Sequence, residues 1–161
     1  MNIEFTGRIT GLQRSNGGVP KLPVESAAIS ERGMKGDRQR NRRFHGGPDR
    51  ALCLYSQELI DALGAEGHPI ERGAVGENVT IAGLPWERVR PGVRLTLGAV
   101  EVEVTSYTAP CDNIEGAFLD GRFTRISQKV HPGWSRVYVR VVGEGSLRVG
   151  DQVRLSALGV D

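Results

Sequence analysis

Glycine placement limits the fold of this chain more than any other feature. The sequence carries 22 glycines in 161 residues, standing between short apolar or alternating runs. A chain interrupted so often builds no long helices. Short strands joined by tight turns tolerate such interruption, because glycine reaches the left-handed backbone region that many turns demand. The pattern predicts an all-β or mainly β protein, either a closed or partly closed barrel or a sandwich, with a few short helices. Expected strands are Asn2–Leu12, Ser26–Ile29, Leu52–Tyr55, Asn78–Ile81, Arg94–Leu97, Val100–Thr105, Arg136–Val142 and Gln152–Leu155. Two segments, 91–95 and 150–155, each place a glycine turn ahead of a Val-Arg-Leu strand, a device suited to barrel corners. The clearest helix is Gln57–Leu63, capped by Ser56, buried along Leu59, Ile60 and Leu63, and stopped by Gly64.

Hydrophobic content of 39% and charged content of 25% are those of an ordinary globular chain. The length fits one domain spanning residues 1–161, with a core from about 11 to 155, large enough to fold without disulfide or metal staples. A formal charge of +2 calls for neither a nucleic acid nor a membrane partner. No apolar run approaches membrane-spanning length and no secretory segment opens the sequence, so a cytoplasmic location is expected. In that reducing compartment the two cysteines would remain thiols.

Cys111 has the most telling context. Before it, Val100 to Val104 alternate with Glu101 and Glu103, the mark of a half-buried strand. After it, Asp112 as N-cap and Glu115 as reciprocal partner would open a short helix, Asn113–Leu119. The thiol then stands at a strand exit and a helix mouth, where unpaired backbone N–H groups favour anionic sulfur. Such a thiol serves as nucleophile, sulfur carrier or soft-metal ligand. A lone cysteine also commonly fills a core, but the polar neighbours Asp112 and Asn113 argue against that here. Cys53, within the apolar run Ala51 to Tyr55, reads as a buried strand residue.

Three loops offer further groups. Arg38, Arg40, Arg42 and Arg43 precede Phe44, His45, Gly46 and Gly47, and Asp49 follows. The arginines could grip an anion through bidentate contacts, or simply form a solvated basic loop. In the second loop, Gly73 and Gly76 lead to Glu77 and Asn78, a turn that could present an amide to a polar ligand. The third, 122–135, holds Arg125, Ser127, Lys129, His131 and Trp134, with no member singled out. His68, before Pro69, reads as a turn residue. No phosphate-binding P-loop, dinucleotide fingerprint or zinc-ligand pair is present. The basic run lacks the interleaved aromatics of a nucleic-acid surface.

Taken in order, Gly36-Asp37, His45-Gly-Gly-Pro-Asp49, Gly76-Glu-Asn78, Pro110-Cys111 and the closing Gly150-Asp151 with Val153 resemble the MOSC domain family, in its small stand-alone bacterial form. The resemblance implies a barrel-like β fold and binding of the molybdenum cofactor (molybdopterin). It places Cys111 as molybdenum ligand and catalytic sulfur, with His45, Asp49 and Asn78 lining or supporting the site. The family pattern does not fix the arginines, and the assignment of Arg38, Arg40, Arg42 and Arg43 to the pterin phosphate is our own, from their charge and clustering. The implied activity is reduction of N-hydroxylated compounds, such as hydroxylated purine bases, with electrons from a flavin or iron–sulfur partner. The alternative is a sulfur carrier holding a Cys111 persulfide delivered by a cysteine desulfurase. The short segment Asp112 to Gly116 departs from the longer, Thr-rich stretch of amidoxime-reducing members.

Overall fold

The structure, a computed structural model, describes residues 2–38 and 47–158. Its strands are β1 (Asn2–Arg14), β2 (Leu22–Val24), β3 (Ser26–Ser30), β4 (Gly33–Met34), β5 (Leu52–Ser56), β6 (Val79–Ala82), β7 (Arg94–Leu97), β8 (Val100–Tyr107), β9 (Val137–Gly143), β10 (Gly145–Arg148) and β11 (Gln152–Leu158). The main sheet runs β11-β7-β8-β9-β5-β6-β1, and pairing of β1 with β11 closes these strands into a barrel. β2 adds to β1 outside the ring, and β10, β3 and β4 form a separate small sheet. Of the barrel and the sandwich that the glycine pattern allows, the barrel is the fold found, as the family resemblance implies.

β1 explains how one strand serves several neighbours. Its first part pairs with β11 from Asn2↔Leu158 to Arg8↔Gln152. β6 pairs with it from Arg8 to Leu12 across a register shift between Ile9 and Gly11 that bends the strand, and β2 pairs with its end, from Leu12 to Arg14. β8 shows the simplest link from sequence to packing. Val100, Val102 and Val104 are buried in the core while Glu101 and Glu103 face outward between them. β5 behaves differently, with all five of its residues buried. It is covered on both faces, which is why its sequence reads as a continuous apolar run rather than an alternation.

β5 and β6 are the parallel pair in this otherwise antiparallel barrel. A parallel pair needs a crossover, and α1 (Gln57–Ala65) supplies part of it. Ser56 caps α1 by accepting a hydrogen bond from the Leu59 N–H at 3.2 Å, and Ile60 and Leu63 are its buried residues. Gly64 does not stop the helix. α1 runs through it to a C-cap at Glu66, and Gly67, at φ +99°, makes the turn. The helix expected over Asn113–Leu119 is likewise replaced by 3-10 turns, Asp112–Ala117 and Leu119–Gly121. The N-cap of the first is Cys111, and no side chain caps it. Phe118, in extended backbone between the two turns, and Asp120, at φ +54°, interrupt the helical path, so tighter turns prevail over a regular helix. Among the described residues no helix is long and apolar enough to cross a membrane.

Candidate functional site

A small pocket opens at one end of the barrel, and Cys111 lines it. β5 supplies Cys53 and β9 supplies Tyr138, which face each other as register partners. The connection after β8 supplies Ala109, Cys111, Asn113 and Ile114. The β1–β2 connection adds Gly18, Val19 and Lys21, and the turn before β6 adds Val75 and Gly76. Arg136, at the mouth of β9, completes the wall. The space amounts to about 70 Å³. Cys111 is half-buried and Cys53 fully buried, so the pocket holds one accessible and one shielded thiol. Burial pushes the Cys53 thiol up from its ordinary range. The Tyr138 hydroxyl is pushed up for the same reason.

Two groups of buried polar residues hold these walls in place. Asp37 binds Lys21 Nζ at 2.7 Å through Oδ2, with both side chains 5% exposed. The same oxygen accepts a hydrogen bond from Asn78 Nδ2 at 2.9 Å, and Oδ1 accepts one from the Ser15 N–H at 3.0 Å. Asn78 is fully buried. Its Oδ1 accepts from the Cys53 N–H at 3.0 Å and its own N–H donates to the Cys53 carbonyl at 2.8 Å. One amide therefore connects the Lys21–Asp37 pair to the strand that carries Cys53. Gly73 fixes the other side of Lys21: the Lys21 N–H donates to its carbonyl at 2.9 Å. Its φ is +86°, and an added Cβ would run into the Lys21 carbonyl.

Arg136 is 5% exposed. Its guanidinium donates to the Val75 carbonyl at 2.6 Å and the Ala109 carbonyl at 3.5 Å, tying the turn before β6 to the Cys111 approach. Its Nε–H is buried without an acceptor. Glu77, also fully buried, accepts from the Gly73 N–H at 3.0 Å and the Thr80 hydroxyl at 3.2 Å, and its second oxygen has no partner. Burial pushes its carboxyl pKa up, although nearby hydrogen bonds and Arg136 act in the opposite direction.

The sequence profile of the MOSC domain matches residues 41–154. The chain belongs to the MOSC domain family. It is 32% identical over 144 residues to the uncharacterized protein YflK of Bacillus subtilis, covering 88% of this chain and 64% of that protein. It is 29% identical over 113 residues to protein YiiM of Escherichia coli, covering 66% of this chain and 50% of that protein. The chain thus spans less than two thirds of the length of either relative. Its fold is shared with the YUAD protein of Bacillus subtilis, at TM-score 0.78 and 16% identity, covering 98% of this chain and 100% of that one. YiiM from Geobacillus stearothermophilus superposes at TM-score 0.72 and 24% identity, over 96% of this chain and 77% of that one.

This MOSC domain distributes the residues singled out in the sequence unevenly. Cys111 lines the pocket, and Asn78 stands behind it as a buried support. Asn78 is not in the positive-φ region, so its place is set by hydrogen bonds rather than by turn strain. Asp49 is exposed on the 3-10 turn Pro48–Arg50, and its carbonyl accepts the Thr105 hydroxyl. Arg38 is exposed, and its N–H donates to the Ser15 carbonyl at 2.7 Å. Neither residue lines the pocket around Cys111. Arg38, Gly47 and Pro48 border a second, broader groove. His45, Arg40, Arg42 and Arg43 lie outside the described residues. In the third loop, Arg125 is engaged by Glu66 at 2.7 Å and stacks on Trp134 at 3.9 Å, and none of 122–135 reaches the pocket. His68 is structural: its Nδ1 accepts from the Leu119 N–H at 3.0 Å.

Sequence reasoning missed Lys21, Arg136 and the pocket side of Cys53. Pro20-Lys21 follows a glycine pair, a sign of a structured turn, and Arg136 is a charge placed directly before the apolar Val137. Together the pocket offers a soft sulfur donor, a shielded second thiol and a buried cation with one unused donor. That combination suits a ligand bearing both a thiophilic centre and negative charge.

Proposed function

We propose that this MOSC domain binds the molybdenum cofactor, with Cys111 as the protein's sulfur ligand to the metal, and that it reduces N-hydroxylated compounds. MOSC domains are associated with that cofactor as a family. The observation that carries the proposal is the meeting of the half-buried Cys111 thiol with the buried Arg136 guanidinium in one small pocket. Among the described residues, no group of three or more His, Cys, Asp or Glu gathers to hold a bare metal ion. A metal arriving already ligated needs only one donor from the chain, and a single thiolate fits the need. A volume of about 70 Å³ admits a group the size of a few waters but no pterin, so the bulk of such a ligand would rest across the mouth.

When bound, the cofactor supplies two-electron oxygen-atom transfer. The chain's part is to hold the sulfur donor at the mouth and place positive charge beside it. The apolar lining of Val19, Val75 and Ile114 limits water in the pocket. Electrons would come from a flavin or iron–sulfur partner protein, and a cytoplasmic location accords with that supply. Protein made in a cofactor-competent host should carry molybdenum in near-equimolar amount. Cys111→Ser should lose most of it, by about tenfold or more for a lost first-sphere ligand. Equal molybdenum in both forms would exclude the ligand role.

The second thiol favours one other reading. Cys53 lines the same pocket, as a sulfur-handling protein could use. In that case the Cys111 thiolate takes the outer sulfur of a desulfurase persulfide, forming one S–S bond as another breaks and freeing the desulfurase thiol. A mass increase of one sulfur on Cys111 after incubation with a desulfurase, without N-hydroxy reductase activity, would select this reading.

A further inference from the structure

The chain has two cysteines, and the fold brings both to one small pocket, Cys53 from β5 and Cys111 from the connection after β8. The Cys53 N–H donates to Asn78 Oδ1 and its carbonyl accepts the Asn78 N–H, with Tyr138 beside it in β9. Its backbone is thus occupied, and the side chain is what lines the pocket. Cys53 Sγ stands 3.9 Å from the Thr108 hydroxyl, and Thr108 begins the connection that carries Cys111 three residues on. Tyr138 lies within electrostatic reach of both sulfurs, since charge on either one raises its hydroxyl further. The two thiols differ in access and in freedom. Cys53 is 4% exposed and fixed in a strand. Cys111 is half-buried, and residues 109–111 belong to no strand. An oxidant arriving from solvent therefore meets Cys111 first. The connection is also the part able to shift until the two Cα atoms reach the separation of about 4.4–6.8 Å that a disulfide requires.

We infer that Cys111 and Cys53 form a reversible disulfide when the empty site meets a hydroperoxide, with Cys111 as the oxidised thiol and Cys53 as the resolving one. The Cys111 sulfur attacks hydrogen peroxide, so that an S–O bond forms, the O–O bond breaks and the departing hydroxide takes the thiol's proton as water. The Cys53 sulfur then attacks Cys111. An S–S bond forms, the S–O bond breaks, and hydroxide leaves with the Cys53 proton as a second water. Two thiols lose two electrons, and one peroxide is reduced to two waters. Burial raises the Cys53 pKa and slows this second step, while the charges of Arg136 and Lys21 act the other way. The resolving thiol stops Cys111 short of the sulfinic and sulfonic forms, which thiol reductants do not reverse. The disulfide rests on the two cysteines alone. Its consequence for the metal rests on the ligand role proposed for Cys111: a sulfur tied to Cys53 offers no thiolate to molybdenum.

The test treats the reduced, cofactor-free protein with a small excess of hydrogen peroxide. Its intact mass should fall by two hydrogens, and its titratable thiols should fall from two per chain to none. Peptide mapping should join Cys53 to Cys111 within one chain, and dithiothreitol should restore both thiols. A protein that keeps Cys53 free while Cys111 gains oxygen would overturn the inference without any variant being made. So would a Cys111 disulfide between two chains. Cys53→Ser should leave Cys111 to proceed to the sulfinic and sulfonic forms, which dithiothreitol does not remove. Cys111→Ser should leave Cys53 reduced under the same treatment, and oxidation of Cys53 at the wild-type rate would overturn the assigned roles. Protein purified with its cofactor keeps this inference separate from the ligand role. Where Cys111 holds the metal, loaded chains should crosslink about tenfold or more slowly than empty ones, since only the unliganded fraction reacts. Loaded chains that crosslink as fast as empty ones would remove the ligand role and leave the disulfide standing.

Discussion

On the outer face of β7, β8 and β9, Arg94 and Arg140 reach Glu103 at 3.2 and 3.1 Å, with Arg94 also 3.4 Å from Glu101. At the pocket end, Lys21 and Asp37 lie 2.7 Å apart. The outer arginines keep 51% and 39% of their side-chain surface in water, whereas Lys21 and Asp37 keep 5% each. Solvent can replace any lost partner on the outer face, so those pairs add little. Inside, each charge was taken from water and is held by a partner that nothing can replace. The outer charges are a consequence of strand alternation. The inner ones impose a cost on folding that the strand pattern does not require, and they surround the one pocket that holds Cys111.

The sharpest way to break that contrast is to remove one inner partner. Asp37→Asn strands the Lys21 ammonium and weakens the bond to Asn78. It should cost about 3–5 kcal/mol, read as a lower urea midpoint at unchanged slope. A loss no larger than that of a surface substitution would show that Lys21 reaches water more freely than its burial suggests.

A smaller effect concerns Glu77 and depends on pH. Burial raises its folded-state pKa, while in the unfolded chain it ionises near about 4.3. The protonated acid therefore favours the fold: its contribution is complete below the unfolded value and is lost as pH rises through the folded one. Glu77→Gln mimics the neutral form. Its stability should fall less than wild type's as pH is raised upward from about 5, and urea midpoints across that range would show it. Parallel pH profiles for the two proteins would mean that Glu77 stays ionised in the fold. The smallest effect is expected outside: Arg94→Ala should leave the urea midpoint unchanged within error, and a clear drop would mean that the outer network is cooperative.

These two regions also differ in how far the sequence reveals them. The outer face was legible because Val100 to Val104 alternate with glutamates, and a period of two allows few other folds. Helix α1 was legible from Ser56 and the spacing of Leu59, Ile60 and Leu63. β2 and β4, three and two residues long, are too short to carry any period. At the pocket, Cys111 stood out through its own neighbours, and Asn78 through the glycines before it. Cys53 was rightly read as a buried strand residue. Its place beside Cys111 depends on β5 lying next to β9, a pairing of residues more than 80 positions apart that no local pattern encodes. Arg136 read as the first residue of a strand for the same reason: the carbonyls it bridges belong to Val75 and Ala109, distant in sequence. The capping signal of Asp112 and Glu115 was over-read, since the residues after it favour 3-10 turns.

The pairing of β1 with β11 has a consequence for how the protein is made. β1 is the first of these strands to leave the ribosome and β11 the last, yet they are hydrogen-bonded neighbours from Asn2↔Leu158 onward. Until β11 emerges, β1 waits with one edge unpaired, and an open edge is a template for another chain. The ring therefore closes only once β11 has been made, through a contact between strands far apart in sequence, a topology associated with slow folding and exposure to aggregation. A nascent chain of this protein is an incomplete ring, and the cell must keep that ring solitary until its last strand arrives.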